Sequence, residues 1–321
     1  MIAQPVALNR GSVMSLLLRS SFVVAFLIAV APAGAEGLRP NILDPSYDHD
    51  RWRTQPRDII RQFRAFTLSF DSADDDNGDG RPDRLGVPEW VAQEVKRFQG
   101  RCIPTAPRPG SWFTEAQLHA QKLAPADATY AVPRPFRDRH PDWFERGHLA
   151  MKFLAERLGA DAAWNTHITL NAVPQRKRFN GGIWADLEFL TGAWANRYGA
   201  VWVVTGPVFV DRVPISWLGT EGRHVRAAIP EAIFKIVIRD GDSPGRPHVL
   251  AFLYPQIGPG YTRSAPYDHK RFLTTIAEIE ELTGLTFLNA LSPEVRAQLR
   301  DVLPDALWPV ARTDFIEACR Q

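Results

Sequence analysis

Between Glu145 and Glu188 the chain gathers Arg146, His148, Asn171 and Asn180. Together these side chains suit hydrolysis of a phosphodiester. That reaction needs a base near neutral pH, positive charge against the phosphate, and stabilisation of the leaving oxygen. His148 suits the first task, because imidazole titrates in that range. Asn180 offers a hard amide oxygen, suited to a Mg²⁺ that keeps most of its waters. Arg146 presents a planar fork that matches a phosphate edge. Each residue also has a plain structural use. His148 could be a core histidine, Asn180 the N-cap of a helix starting near Ile183, and Glu188 an exposed helix carboxylate. Arg146 could simply pair with Glu145, and Asn171 could close a turn before Pro174.

Asn180 and Glu188 are eight residues apart. On a straight helix that is about 12 Å of rise and about 80° of rotation. Both can reach one ion only if the chain bends near Gly181-Gly182.

The order of these pieces narrows the choice. Glu145-Arg146-Gly147-His148 is followed by Asn171-Ala172-Val173-Pro174-Gln175, then Asn180-Gly181-Gly182-Ile183-Trp184 and Leu187-Glu188. This resembles the DNA/RNA non-specific endonuclease family of the ββα-metal superfamily. Further segments match in order: Pro88-Glu89-Trp90-Val91-Ala92, Val203-Val204-Thr205-Gly206-Pro207, Phe234-Lys235-Ile236-Val237 and Ile279-Glu280-Glu281-Leu282-Thr283-Gly284-Leu285. The resemblance covers about residues 85–290. It implies a metal-dependent endonuclease acting on DNA and RNA and leaving 5′-phosphates. His148 would be the general base, Asn180 the Mg²⁺ ligand (Mn²⁺ could substitute), Arg146 the phosphate clamp, and Glu188 the carboxylate holding the cation's water shell. Asn171 would orient the phosphate or the loop carrying Asn180. Arg176, Lys177 and Arg178 would bring positive charge to the substrate backbone without reading sequence. Arg223 and Arg226 are weaker candidates for that role.

Two positions depart from the family pattern. Glu145 stands where aspartate is usual, and Gly192 lies where some relatives have an arginine. A non-catalytic nucleic-acid-binding relative, a calcium-dependent surface protein and a small-molecule phosphodiesterase are the rival readings.

The elements that must position these residues are α+β in character. Alternating or continuous apolar runs predict strands at Arg64–Phe70, Ala200–Val208, Ala232–Ile238 and His248–Leu253, a short one at His167–Leu170, and a strand or short helix at Pro88–Arg97. Helical spacing marks Ile183–Tyr198 and Phe272–Leu282. There is no steady βαβ rhythm, so α+β with a mixed or antiparallel sheet is expected; the resemblance implies the ββα-metal nuclease fold, a central mostly antiparallel sheet flanked by helices. Residues 103–143 are proline-rich and read as a long surface excursion.

Residues 1–35 read as a signal peptide: Arg10 and Arg19, an apolar run from Phe22 to Ala31, then Ala33-Gly34-Ala35. The expected location is therefore exported, periplasmic or secreted, with no stable membrane partner. Removing the segment takes the net charge from +2 to zero. Any attraction for a polyanion must then come from a local patch. Residues 36–84 are expected to be an N-terminal extension and 85–321 the endonuclease domain. The two cysteines, Cys102 and Cys319, could pair in an oxidising compartment or stay free. Oligomeric state is not readable.

Asp75, Asn77, Asp79 and Asp83, with Gly80 at the turn, follow the start of a calcium loop. Position twelve is Gly86 rather than glutamate, so an EF-hand is not expected, and the two readings left are a structural Ca²⁺ site and an acidic solvated turn. On the first, calcium is expected to raise the Tm of the wild type and to leave Asp79→Ala unmoved. Equal responses of the two proteins in a melting experiment refute the site.

Overall fold

The computed structural model describes residues 37–71, 85–210, 215–261 and 266–320. Residues 1–35, read above as a signal peptide, and Asp75–Asp83, read above as the start of a calcium loop, lie outside them. In chain order the strands are β1 (Ile59–Phe63), β2 (Phe66–Phe70), β3 (Pro88–Lys96), β4 (Phe144–His148), β5 (Ala172–Arg176), β6 (Ala200–Val208), β7 (Ser216–Leu218), β8 (Ala227–Ile229), β9 (Ala232–Ser243), β10 (Arg246–Pro255) and β11 (Leu273–Thr274). Seven of them form one sheet, in the order β1-β2-β3-β6-β9-β10-β11. Every pairing in it is antiparallel. β1 and β2 precede residue 85 yet form the edge of this sheet, and residues 36–321 make one compact unit.

The strands read as continuous apolar runs because both faces are covered. Along β6, Val201 and Val203 enter one core and Trp202 and Val204 the other. β9 does the same with Ile233 and Val237 against Phe234, Ile236 and Ile238. The first face carries the helix Ala185–Tyr198, through Leu187 and Trp194. The second is closed by Trp52 and by Ile276 and Ile279 of the helix Ile276–Thr283.

A second layer stands on the first face. β4 and β5 form their own two-stranded ladder. Gln256 ties it to the main sheet: its Nε2 donates to Pro174 O at 2.7 Å and Pro230 O at 2.9 Å, and its Oε1 accepts from Arg176 N at 2.8 Å. The helix Ala185–Tyr198 is anchored similarly. His269 Nε2 donates to Asp186 at 2.9 Å, while its Nδ1 accepts from the Tyr254 hydroxyl at 2.8 Å.

Three local expectations change. His167–Leu170 is not a strand; it makes one bridge, Ile168 to Phe113, and passes into a 3₁₀ turn at Thr169–Asn171. The Asn171 amide, donating to Thr166 O, holds that turn. The helix expected from Phe272 starts at Ile276, where the Thr275 hydroxyl accepts from Glu278 N. Residues 103–143 are not merely superficial, since Ile103, Phe113, Leu118 and Tyr130 are buried.

Cys102 and Cys319 are joined, closing a separation of 217 residues. The adjoining backbone zips the tail to the excursion: Ile103 N donates to Glu317 O and Cys319 N to Ile103 O. Loss of this bond frees a long loop in the unfolded chain and the tail in the folded one. Cys102→Ser/Cys319→Ser is expected to lose about 2–4 kcal/mol in urea unfolding. An unchanged midpoint contradicts a stabilising role for the bond.

Candidate active site

β4 delivers the Glu-Arg-Gly-His motif and β5 the Asn-x-x-Pro-Gln motif, with Gly147 opposite Val173 and His148 opposite Ala172. Gly147 is required sterically, because a Cβ there would meet the Gln175 side chain at 1.8 Å. Past β5 the chain turns through Lys177–Phe179 into a π-helical turn, Asn180–Trp184, and then into the helix Ala185–Tyr198. Two strands and a helix thus enclose the site.

The chain bends at Gly182, the condition under which Asn180 and Glu188 could approach one ion. Gly182 departs from helical geometry at φ −109°, ψ −115°. A Cβ on it would strike Tyr261 O at 2.0 Å. Asn180 is already helical at φ −57°, ψ −50°, so it is not an N-cap. Asn180, Gly181, Ala185 and Glu188 line one cavity of about 850 Å³, together with His148 and Arg146.

His148 lies between two rings, Trp112 at 4.4 Å and His167 at 4.9 Å, the latter edge-on. Its Nε2 is buried with no hydrogen-bond partner in the protein. Burial first, then His167, Arg108, Lys152 and Arg146, holds its pKa well below the usual imidazole value. His148 is therefore neutral at physiological pH and able to accept a proton.

Glu145 explains its own position. Asn180 Nδ2 donates to Glu145 Oε2 at 3.3 Å. A carboxylate only accepts, so this contact fixes which end of the amide is nitrogen and leaves Oδ1 available. Arg146 lines the cavity, but one of its nitrogens is bound to Asp127.

Asn171 does not reach the cavity. It is fully buried; Oδ1 accepts from Ala150 N at 2.8 Å, and Nδ2 donates to Ala150 O and Thr166 O. Its work is to clamp the chain just after His148. Arg176, Lys177 and Arg178 are also outside the cavity lining. Arg176 pairs with Asp142 at 3.4 Å and covers Phe144, while Lys177 lies 4.0 Å over Trp143. Arg226 pairs with Glu221 and covers Trp217, and Arg223 also lies outside the lining. Above Gly192 stands Arg157, whose guanidinium is spent on Gly192 O, Lys96 O and Asn196. It is not a substitute for the absent arginine.

Sequence reading missed Arg108, Lys152 and Lys235. Arg108 and Lys152 line the cavity and add positive charge near His148. Lys152 is paired with Glu156, whereas Arg108 has no carboxylate partner among the described residues. Lys235 sits fully buried on β9 with Nζ 4.4 Å from the Trp184 ring. No hydrogen bond satisfies it, and Glu188 Oε1 is likewise buried and partnerless. Burial drives the Glu188 carboxyl up against the pull of Lys235, and drives the Lys235 ammonium down against the pull of Glu188. Each charge is the other's main compensation. A lysine inside the apolar run Ala232–Ile238 was the available signal.

Among the described residues no cluster of three or more His, Cys, Asp or Glu could hold a metal. What the cavity offers instead is one amide oxygen and one carboxylate with a partnerless buried oxygen. That donor set fits a small hard cation that retains its water, not zinc.

Lys235 lowers the Glu188 pKa, so removing its charge must raise it. Lys235→Met is expected to move the acidic limb of the pH–rate profile up by about one unit or more. A variant that only loosened the core would lower the plateau and leave the limb in place.

The match to known proteins agrees with this geometry. The family model "DNA/RNA non-specific endonuclease" matches residues 79–294. A nuclease of Serratia marcescens is 31% identical over 227 residues, covering 68% of this chain and 76% of that protein. Human mitochondrial endonuclease G is 26% identical over 227 residues, covering 64% and 72%. Among solved structures, a chain in the complex of EndoG with EndoGI superposes with a TM-score of 0.53 at 18% identity, covering 76% of this chain and 91% of that one. The chain belongs to the DNA/RNA non-specific endonuclease family and is a nucleic-acid-hydrolysing endonuclease of the ββα-metal fold.

Proposed function

We propose that this chain is an exported, Mg²⁺-dependent endonuclease that cuts DNA and RNA and leaves 5′-phosphates. The observation that carries this is a convergence on one cavity. His148, Asn180 and Glu188 all line it, His148 Nε2 has no partner in the protein, and the Asn180 amide is oriented by Glu145. Asn180 would hold Mg²⁺ through Oδ1, with Glu188 gripping its hydration shell. Bound there, the cation would supply charge neutralisation at the phosphate and at the leaving oxygen.

The protein's own groups account for the remainder. His148 removes a proton from the attacking water, and its low pKa keeps it in the accepting form. Arg146, steadied by Asp127, and the unpaired Arg108 oppose phosphate charge. Attack on phosphorus breaks the P–O3′ bond and leaves the phosphate on the 5′ side of the downstream nucleotide. Contacts of this kind read the backbone and not the base edges, which suits action on both DNA and RNA. Export rests on residues 1–35, and the Cys102–Cys319 bond suits an oxidising compartment. No helix among the described residues is long and apolar enough to cross a membrane.

The test uses residues 36–321 on plasmid DNA and total RNA, with Mg²⁺, with Mn²⁺ and with chelator. Cleavage is expected to require metal and to fall by about 10²–10⁴-fold in His148→Ala. A folded wild type that binds nucleic acid but never cuts identifies the non-catalytic reading instead.

A further inference from the structure

The excursion before β4 ends in a segment that the catalytic reading leaves unused. The short helix Arg134–Arg139 projects Arg134, Phe136, Arg137 and Arg139, all exposed. The Phe136 ring is 43% exposed and pairs with His140 at 4.1 Å. The ring thus presents part of its surface to solvent beside three arginines.

The charges there are not self-neutralised. Arg134 meets Asp138 only at 3.8 Å, with both side chains mostly in solvent, a pairing worth little. Arg137, Arg139, Lys177 and Arg178 have no carboxylate within ion-pair distance among the described residues. Without residues 1–35 the chain has zero net charge, so this concentration is local. The patch is continuous with the active site, because Arg137 and Trp143 line the same cavity as His148. Lys177 covers Trp143 at the junction.

Resting on the endonuclease reading, we propose that residues 133–143, with Lys177 and Arg178, form a track for single-stranded nucleic acid flanking the scissile bond. The arginines and Lys177 follow the phosphates, and Phe136 supplies a face on which an unstacked base lies. A groove of cations with interleaved aromatic rings is how single strands are held without sequence preference. A duplex hides its base faces and can use only the charges. The shared chemistry of DNA and RNA strands fits equally, so both serve as probes.

Phe136→Ala and Arg134→Ala/Arg139→Ala lie away from the catalytic groups. Their kcat/KM is measured with Mg²⁺ on single-stranded DNA and RNA 30-mers, on a 30-base-pair duplex and on a tetranucleotide, which leaves little strand on either side of the scissile bond. Anisotropy of a labelled 30-mer in chelator repeats the comparison without catalysis. Phe136→Ala is expected to lose about tenfold on the single-stranded 30-mers, the value of one stacked base. It is expected to lose little on the duplex and nothing on the tetranucleotide. The arginine pair is expected to flatten the salt dependence of 30-mer binding by about 1.4 in log–log slope, for two phosphates released. Wild-type behaviour of both variants on long strands overturns the track. So does an equal loss on the tetranucleotide, which marks damage to the site. If Phe136→Ala loses as much on duplex as on single strands, base stacking is wrong. A wild type that cuts nothing defeats the endonuclease reading, while the binding comparison still judges the track.

Discussion

An amide oxygen and a carboxylate eight residues apart cannot meet at one point on a regular helix. A kink at Gly182 interrupts the helix between them, both residues line one cavity, and the surrounding structure holds the kink. Gly182 is pressed against Tyr261 O, where no side chain fits. Trp184 is fully buried, packing against Phe179 and Tyr254. Asp186, one turn from the bend, is tied through His269 to Tyr254 on the central sheet. Sharp kinks in helices have identifiable local causes, and here the cause is a glycine whose backbone departs from helical geometry.

That arrangement exacts its largest electrostatic cost at Glu188. A carboxylate buried to this degree resists ionisation, yet gripping a cation's water shell requires the charge. Lys235 stands beneath it on β9, in the face of the sheet that packs on the helix Ala185–Tyr198. Its ammonium lies over the Trp184 ring instead of forming a direct ion pair. At that position it opposes desolvation of the carboxylate without occupying its oxygens. A close salt bridge would satisfy Glu188 more fully and leave less of it for the cavity. Glu188 Oε1 accordingly remains without a protein partner.

The sequence made the chemistry more legible than its support. His148, Asn180 and Glu188 are singled out by the family resemblance together with what their side chains can do, and all three line one cavity; helical pitch says only that Asn180 and Glu188 cannot share an ion on an unbent helix. The strands followed from apolar runs, since a sheet covered on both faces writes itself as continuous hydrophobicity. What could not be read depends on long-range partners. Asn171 carries the same amide as Asn180, and only the fold shows that its donors and acceptor are consumed by Ala150 and Thr166. Arg176 looked available until Asp142, 34 residues earlier, took its guanidinium. Arg108 gave no local signal at all, because its importance comes from where a proline-rich excursion lands.

That excursion bears on how a chain whose net charge is only +2 handles a polyanion. Global charge would attract nucleic acid to every face of the protein. Placing Arg108, Arg137, Arg146 and Lys152 on the lining of one cavity gives that attraction a direction that net charge alone would not. The same segment is held at both ends by strong constraints. At one end Cys102 is bonded to Cys319, and Ala318 lines the rim. At the other, β4 is locked to β5 and through Gln256 to the sheet. Between those anchors the Arg134–Arg139 helix makes few demands on the core and is free to carry charge. The fold thus separates the two requirements: the rigid ββα layer aims the reactive groups, and the tethered loop supplies the positive surface that such precision could not accommodate.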